Sequence, residues 1–167
     1  MSPRGMVTRR PSGRSKSTAS PARPASRPRK LRWPSTGSRV LSRASFHNAI
    51  ACAMAMGCST NAIIHVIAMS RRAGHAVTLD DFDAASRKVP VIANIRPSGE
   101  RWLMEDFFYA GGLPAMLQRI RPHLHTGALT VNGRTLGENI EGAEVFDDDV
   151  IRPLDHPIYD EGALAVL

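Results

Sequence analysis

The chain is two unlike polymers joined near residue 44, and only the second can fold by burying itself. Residues 1–44 hold 12 of the 22 lysines and arginines, 6 of the 12 prolines and no acidic side chain. Residues 45–167 hold the other 10 basic side chains and all 15 acids. The net charge of +7 is therefore a +12 arm on a body of −5. Beyond Val7, Leu31, Val40 and Leu41 the arm has almost no aliphatic residue. It cannot bury enough apolar area to offset the entropy of ordering it, which predicts disorder.

Composition narrows what such an arm can be. A nucleic-acid tail would pair Arg and Lys with phosphates, but Trp33 is the one aromatic among them, and stacking platforms use several. An organelle leader would be acid-free and Arg/Ser-rich like this one, yet the prolines oppose the amphipathic helix it needs. A secretory signal is excluded by the lack of an apolar core behind Arg9-Arg10, and no stretch has the length of a membrane span. Arg, Pro, Ser and Ala together are also what a GC-rich gene gives when read out of frame, and we read residues 1 to about 38 that way.

The body opens with a helix. Ser45 is positioned to cap it, Phe46, Ile50, Ala53 and Met54 line one face, and Gly57 should stop it. Ser59 or Thr60 can start a second helix whose Ala62, Ile63, Ile64, Val66, Ile67, Ala68 and Met69 leave almost no polar side, the pattern of a buried helix. A third has Thr78 as cap, acids in its first turn and Arg87-Lys88 at its end, matching the helix dipole. Residues 90–95 are a β-branched run and predict a buried strand. Residues 101–110 predict a helix with Met104, Phe107 and Phe108 inward, and Pro114 opens another to Ile120. Asn132-Gly133 predicts a hairpin between 128–131 and 134–136, with further strands at 150–152 and 163–167. Helices alternating with strands indicate an α/β class, followed by a β-rich tail beyond a boundary near residues 121–127.

The chemical inventory is thin. Cys52 and Cys58 are six apart, about 120° around a helix, so they cannot clamp a metal as a CxxC pair would. Without a secretion signal, two cysteines point to a reducing compartment. His123 and His125 share a loop, His47, His65, His75 and His156 are scattered, and no zinc spacing occurs. His65, on the apolar helix, reads as a core histidine. Asp147-Asp148-Asp149 reads as a solvated acidic loop rather than a cation site, and Glu105-Asp106 as a wet helix edge rather than an acid/base pair. Gly57-Cys58-Ser59-Thr60-Asn61 carries more chemistry, since a glycine turn into a helix exposes backbone N–H groups that can hold a carboxylate or phosphate. Plain N-capping by Ser59 is the competing reading.

Six segments occur in one order: Ser45-Phe46-His47-Asn48-Ala49-Ile50; Gly57 to His65; Pro97-Ser98-Gly99 with Met104-Glu105-Asp106-Phe107; Gly111 to Ala115; Leu129 to Gly133; and Val150 to Asp155. Together they resemble the dihydroxy-acid and sugar-acid dehydratase family across Ser45 to Leu167. Phe107 to Pro114 is more similar to the aldonic-acid branch than to the branched-chain amino-acid branch.

The resemblance implies the end of an α/β, cluster-bearing domain (45–125), then the first strands of a β-barrel-like domain (126–167), behind the disordered arm (1–44). It also implies hydro-lyase chemistry that turns a 2,3-dihydroxy acid into a 2-keto acid. In complete relatives that chemistry uses an iron-sulfur cluster, magnesium and a serine base, in cytoplasmic homo-oligomers. The cluster ligands and the base lie in parts of the family not matched here, and Cys58 stands where a glycine is usual. No catalytic or metal-ligating residue is therefore assigned, and no cofactor is expected to be held. The resemblance carries over Ser59, Thr60 and Asn61, placed near the substrate end of the cleft. The expectation is a truncated hydro-lyase, inactive alone, that leaves the apolar face of its second helix uncovered and aggregates. The rival is a small basic protein acting on nucleic acid through its arm.

Overall fold

The computed structural model describes residues 39–162 and 164. The arm up to residue 38 and nearly all of the expected last strand fall outside them.

Helix α1 (Arg43–Met56) is capped by Ser42, three residues before the expected cap. Ser42 and Ser45 cap each other: Ser45 N–H donates to Ser42 Oγ at 3.2 Å and Ser42 N–H to Ser45 Oγ at 2.9 Å. A serine in the third helical position thus supplies the reciprocal bond usually made by Glu or Gln. Phe46, Ile50, Ala51, Met54 and Ala55 form the buried face. Gly57 ends the helix in the left-handed conformation (φ 62°), where its N–H and that of Cys58 satisfy the carbonyls of Met54 and Ala53.

Helix α2 (Thr60–Arg72) departs from its expectation. Only Ile63 and Ser70 are buried, while Ile64 is 65% and Met69 55% exposed. The helix packs one side on α1 and nothing among the described residues covers the other, so its all-round apolarity is unused. His65 is exposed on that outer side and is not a core histidine.

Helix α3 (Leu79–Ser86) begins as expected at Thr78, whose N–H donates to Asp81 Oδ2 at 2.8 Å, and buries Phe82, Ala85 and Ser86. The chain then crosses the centre. Val91, Ile92 and Ala93 are fully buried and extended, but they form isolated bridges rather than a strand in a sheet. Val91 pairs with Tyr159, Ala93 with Ile151 and Ile95 with Trp102. The N–H groups of Ile92 and Ala93 both reach the carbonyl of Ala55 at the end of α1. A helix end takes the donors that a neighbouring strand would otherwise take.

Helix α4 (Met104–Tyr109) buries Phe107 alone; Met104 and Phe108 are 58% and 74% exposed. Successive helical side chains point about 100° apart, so two adjacent phenylalanines cannot both face in. Helix α5 (Gly112–Arg119) and a 3₁₀ turn (Arg121–His123) follow, and Asn132-Gly133 makes its expected turn, with a single bridge between Leu129 and Thr135. The return arm becomes a short helix, α6 (Leu136–Ile140), instead of a strand. Thr135 and Glu138 form a capping box there, readable as T-x-x-E. The described body is mostly helical, with few strand-like pairings, around one core from α1, α3, α5, 89–95 and 150–151. No buried side-chain polar atom among the described residues lacks a partner.

Candidate functional site

The turn from Gly57 into α2 places Ser59, Thr60 and Asn61 at the surface. Ser59 Oγ accepts from the N–H of Asn61 at 3.2 Å, so this hydroxyl caps the helix. The side chains of Thr60 and Asn61 are exposed beside it. Ser59 thus acts as the N-cap and fixes the turn, which presents Thr60 and Asn61 at the surface.

A second of the six segments supports the same turn. A Cβ on Gly57 would lie 2.6 Å from Ser98 Cβ, and Ser98 Oγ donates to the Met56 carbonyl at 3.1 Å. Gly99 in turn has room for no Cβ, which would come within 2.5 Å of the Asn94 carbonyl carbon. Pro97-Ser98-Gly99 therefore packs directly under the Gly57 bend. The sequence alone held these two segments apart by 40 residues, and only folding joins them.

The acidic run is more structured than a solvated loop. Asp149 accepts from Trp102 Nε1 at 3.1 Å, Arg101 Nη1 at 3.2 Å and Arg152 Nη2 at 2.6 Å, while Arg101 also stacks 4.4 Å above the Trp102 ring. Asp148 pairs with Arg119, and Asp147 Oδ1 accepts from the Asp149 N–H. These carboxylates face cations and N–H donors, which is not the donor set of a magnesium site. Asp106 is a cap as well, accepting from Leu103 N–H at 2.7 Å.

The cysteines do not suit an iron-sulfur cluster. Cys52 borders an apolar groove with Ala49, Leu117, Leu129 and Val131, and burial, followed by the neighbouring Cys58, pushes its thiol up to about 11. Cys58, beyond the end of α1, is also raised by burial. Clusters need converging thiolates, and this environment favours neutral thiols. Among the described residues no group of three or more His, Cys, Asp or Glu gathers in metal-binding geometry. No helix among them is long and apolar enough to cross a membrane.

One constellation escaped the sequence. His47 on α1 and His125 meet with ring centroids 4.6 Å apart at 67°, at the edge of a cleft of about 600 Å³. Arg43, Asp81, Lys88 and His123 share its lining. His47 is held below its ordinary pKa by burial, then by His125 and Lys88, with Asp81 opposing. The sequence gives no spacing signal for a pair 78 residues apart.

Residues 13–139 match the family described as dihydroxy-acid/6-phosphogluconate dehydratase, N-terminal. The match thus begins inside the basic arm, ahead of Ser45. The chain is 45% identical over 133 residues to a dihydroxy-acid dehydratase of Acaryochloris marina, covering 77% of this chain and 24% of that protein. It is 44% identical over 133 residues to an L-arabonate dehydratase of Azospirillum brasilense, covering 78% and 23%. With a 6-deoxy-6-sulfo-D-gluconate dehydratase of Pseudomonas putida the identity is 47% over 122 residues, covering 72% and 21%. The chain spans about a quarter of the length of the curated relatives it matches.

Proposed function

We propose, from the premise that this chain belongs to the dihydroxy-acid/6-phosphogluconate dehydratase family, that it is a helical portion of a hydro-lyase for dihydroxy acids or sugar acids and turns over no substrate by itself. The observation that carries the reading is the similarity to dehydratases named for both substrate classes, across a little under a quarter of their length. The side chains that could have supplied chemistry are committed elsewhere: Asp149 to Trp102 and two arginines, Cys52 to an apolar groove.

In this reading Thr60 and Asn61 face the substrate, held by the Ser59 cap and the Ser98 contact beneath Gly57. Partial positive charge on the first N–H groups of α2 suits a carboxylate. Phe107 to Pro114 favours an aldonate over a branched dihydroxy acid. Residues beyond 139, where the N-terminal family match ends, lead into the β-rich domain of the complete enzyme, which is cytoplasmic and homo-oligomeric.

A chimaera tests it. Residues 45–162 replace the corresponding segment of the Azospirillum L-arabonate dehydratase, and 2-keto acid release is measured. The chimaera should retain activity, and Asn61→Ala within it should raise KM at least about tenfold, the scale of one lost hydrogen bond to a charged group. A folded, active chimaera in which Thr60→Ala and Asn61→Ala both leave kcat/KM unchanged would remove Ser59–Asn61 from the substrate site.

A further inference from the structure

The cleft holding His47 and His125 lies at the other end of α1 from the Ser59 turn. Ten residues separate His47 from Gly57, about 15 Å of helix rise. Its floor is apolar, with Ile50, Val77 and Val89 each at most 5% exposed. Its rim is basic: Arg43 and His47 from α1, Lys88 beyond α3, His123 and His125 from the segment after α5. Asp81 is the one acid there, and its carboxylate already accepts the Thr78 N–H and hydroxyl at 2.8 and 3.3 Å.

The rim is preorganised. Asn48, only 8% exposed, grips the His125 backbone from both sides: Nδ2 donates to the His125 carbonyl at 3.0 Å and Oδ1 accepts its N–H at 2.7 Å. Because Asn48 follows His47 directly, that clamp sets the two imidazoles against each other. Lys88 is anchored by its own N–H on the Ala85 carbonyl at 3.0 Å. Two cations, Arg43 and Lys88, and three imidazoles thus line one cleft with a single carboxylate, Asp81, which is engaged by Thr78, over a floor that suits carbon. The volume of about 600 Å³ falls within the range of about 300–1,000 Å³ usual for small-molecule sites.

We propose that this cleft binds a small organic phosphate, its phosphoryl group held by Arg43, His47, Lys88 and His125 and its short carbon skeleton lying on Ile50, Val77 and Val89. A phosphate monoester carries close to two negative charges at neutral pH and offers three acceptor oxygens, which matches several converging donors better than a carboxylate does. The resting site disfavours protonation of His47, through burial and its cationic neighbours. A bound dianion reverses that balance, so binding takes up a proton.

The test uses the full chain near pH 6.5, with glycerol 3-phosphate, inorganic phosphate and glycerate as probes and the histidine ring resonances as readout. Glycerol 3-phosphate should shift the His47 and His125 signals saturably and raise the titration midpoint of His47. Lys88→Ala should weaken binding at least tenfold; His125→Phe, which keeps a ring in place without its N–H, should weaken it severalfold. Arg72→Ala, on the outer side of α2, should change nothing. Shifts that never saturate, or that survive Lys88→Ala and His125→Phe, would assign the effect to the basic arm and overturn the site. Equal binding of glycerate would overturn the phosphoryl assignment, and equal binding of inorganic phosphate would overturn the role of the apolar floor.

Discussion

Replacing Gly57 by alanine should be among the most damaging single-methyl changes in this chain. At φ 62° an L-residue is strained, by about 1–2 kcal/mol. The added Cβ would also meet Ser98 Cβ at 2.6 Å and Oγ at 2.7 Å. Ser98 cannot swing its own Cβ away, so the 97–99 turn must move, at about 1–3 kcal/mol for overpacking of this kind. The two costs together are about 2–5 kcal/mol, a large share of the 5–15 kcal/mol typical of a domain. Gly74 is the internal control, with φ 88° and nothing within 4 Å of a new Cβ, so Gly74→Ala should show backbone strain alone. Thermal melts followed by circular dichroism should place Gly57→Ala about 8–20 °C below the parent and well below Gly74→Ala, taking about 4 °C per kcal/mol for a domain of this size. Adding Ser98→Gly should restore about 1–3 kcal/mol in the Gly57→Ala background while costing about 1 kcal/mol alone, through the lost bond to Met56. Equal melting of Gly57→Ala and Gly74→Ala, or strict additivity in that cycle, would refute the packing of these two segments.

Stability should fall as pH drops below the ordinary histidine value near 6.5. The folded His47 titrates lower than the unfolded one, so the unfolded chain binds the extra proton first, and the loss of stability grows until both forms are protonated and then stays constant. His47→Gln should flatten that part of the pH–Tm curve; an unchanged slope would deny the shift. Alkylation at pH 8 should modify Cys58 before Cys52, because a thiol near 11 is only about 0.1% thiolate there; mass-mapped labelling that finds Cys52 first would contradict its burial. Asp149→Ala should lower stability by about 1–3 kcal/mol and redden Trp102 emission, since the indole N–H loses its acceptor; an unmoved spectrum in Trp33→Phe background would show that the bond does not form.

Helix positions were legible where a cap and a stop both lay in the chain: Thr78 for α3, Gly57 for the end of α1. Ser42 was passed over because serine at both ends of a capping box lacks the usual Glu signature. Burial was legible only in part. The face of α2 is apolar by composition, yet whether Ile64 and Met69 are covered depends on residues elsewhere, and periodicity carries no information about a missing partner. Residues 90–95 had the composition of a strand, but pairing needs a neighbour in register, and here the carbonyl of Ala55 takes two of the N–H groups. For the candidate site, the Gly57–Asn61 turn was visible locally, as glycine followed by a capping serine. Its support by Ser98 and the meeting of His47 with His125 were not, because both are long-range contacts fixed by tertiary packing. Asp149 shows the same limit in reverse: three adjacent acids look solvated until Arg101, Trp102 and Arg152 converge on one of them.

The most direct measurement is turnover by the chain alone. Anaerobically reconstituted with iron, sulfide and magnesium, the purified protein is given a panel of aldonates and branched 2,3-dihydroxy acids, and 2-keto acid is quantified against a complete relative. The account predicts no keto acid above the protein-free blank for any substrate, with Cys52→Ala/Cys58→Ala indistinguishable from the parent. Catalytic turnover of any substrate, lost in that double variant, would contradict it.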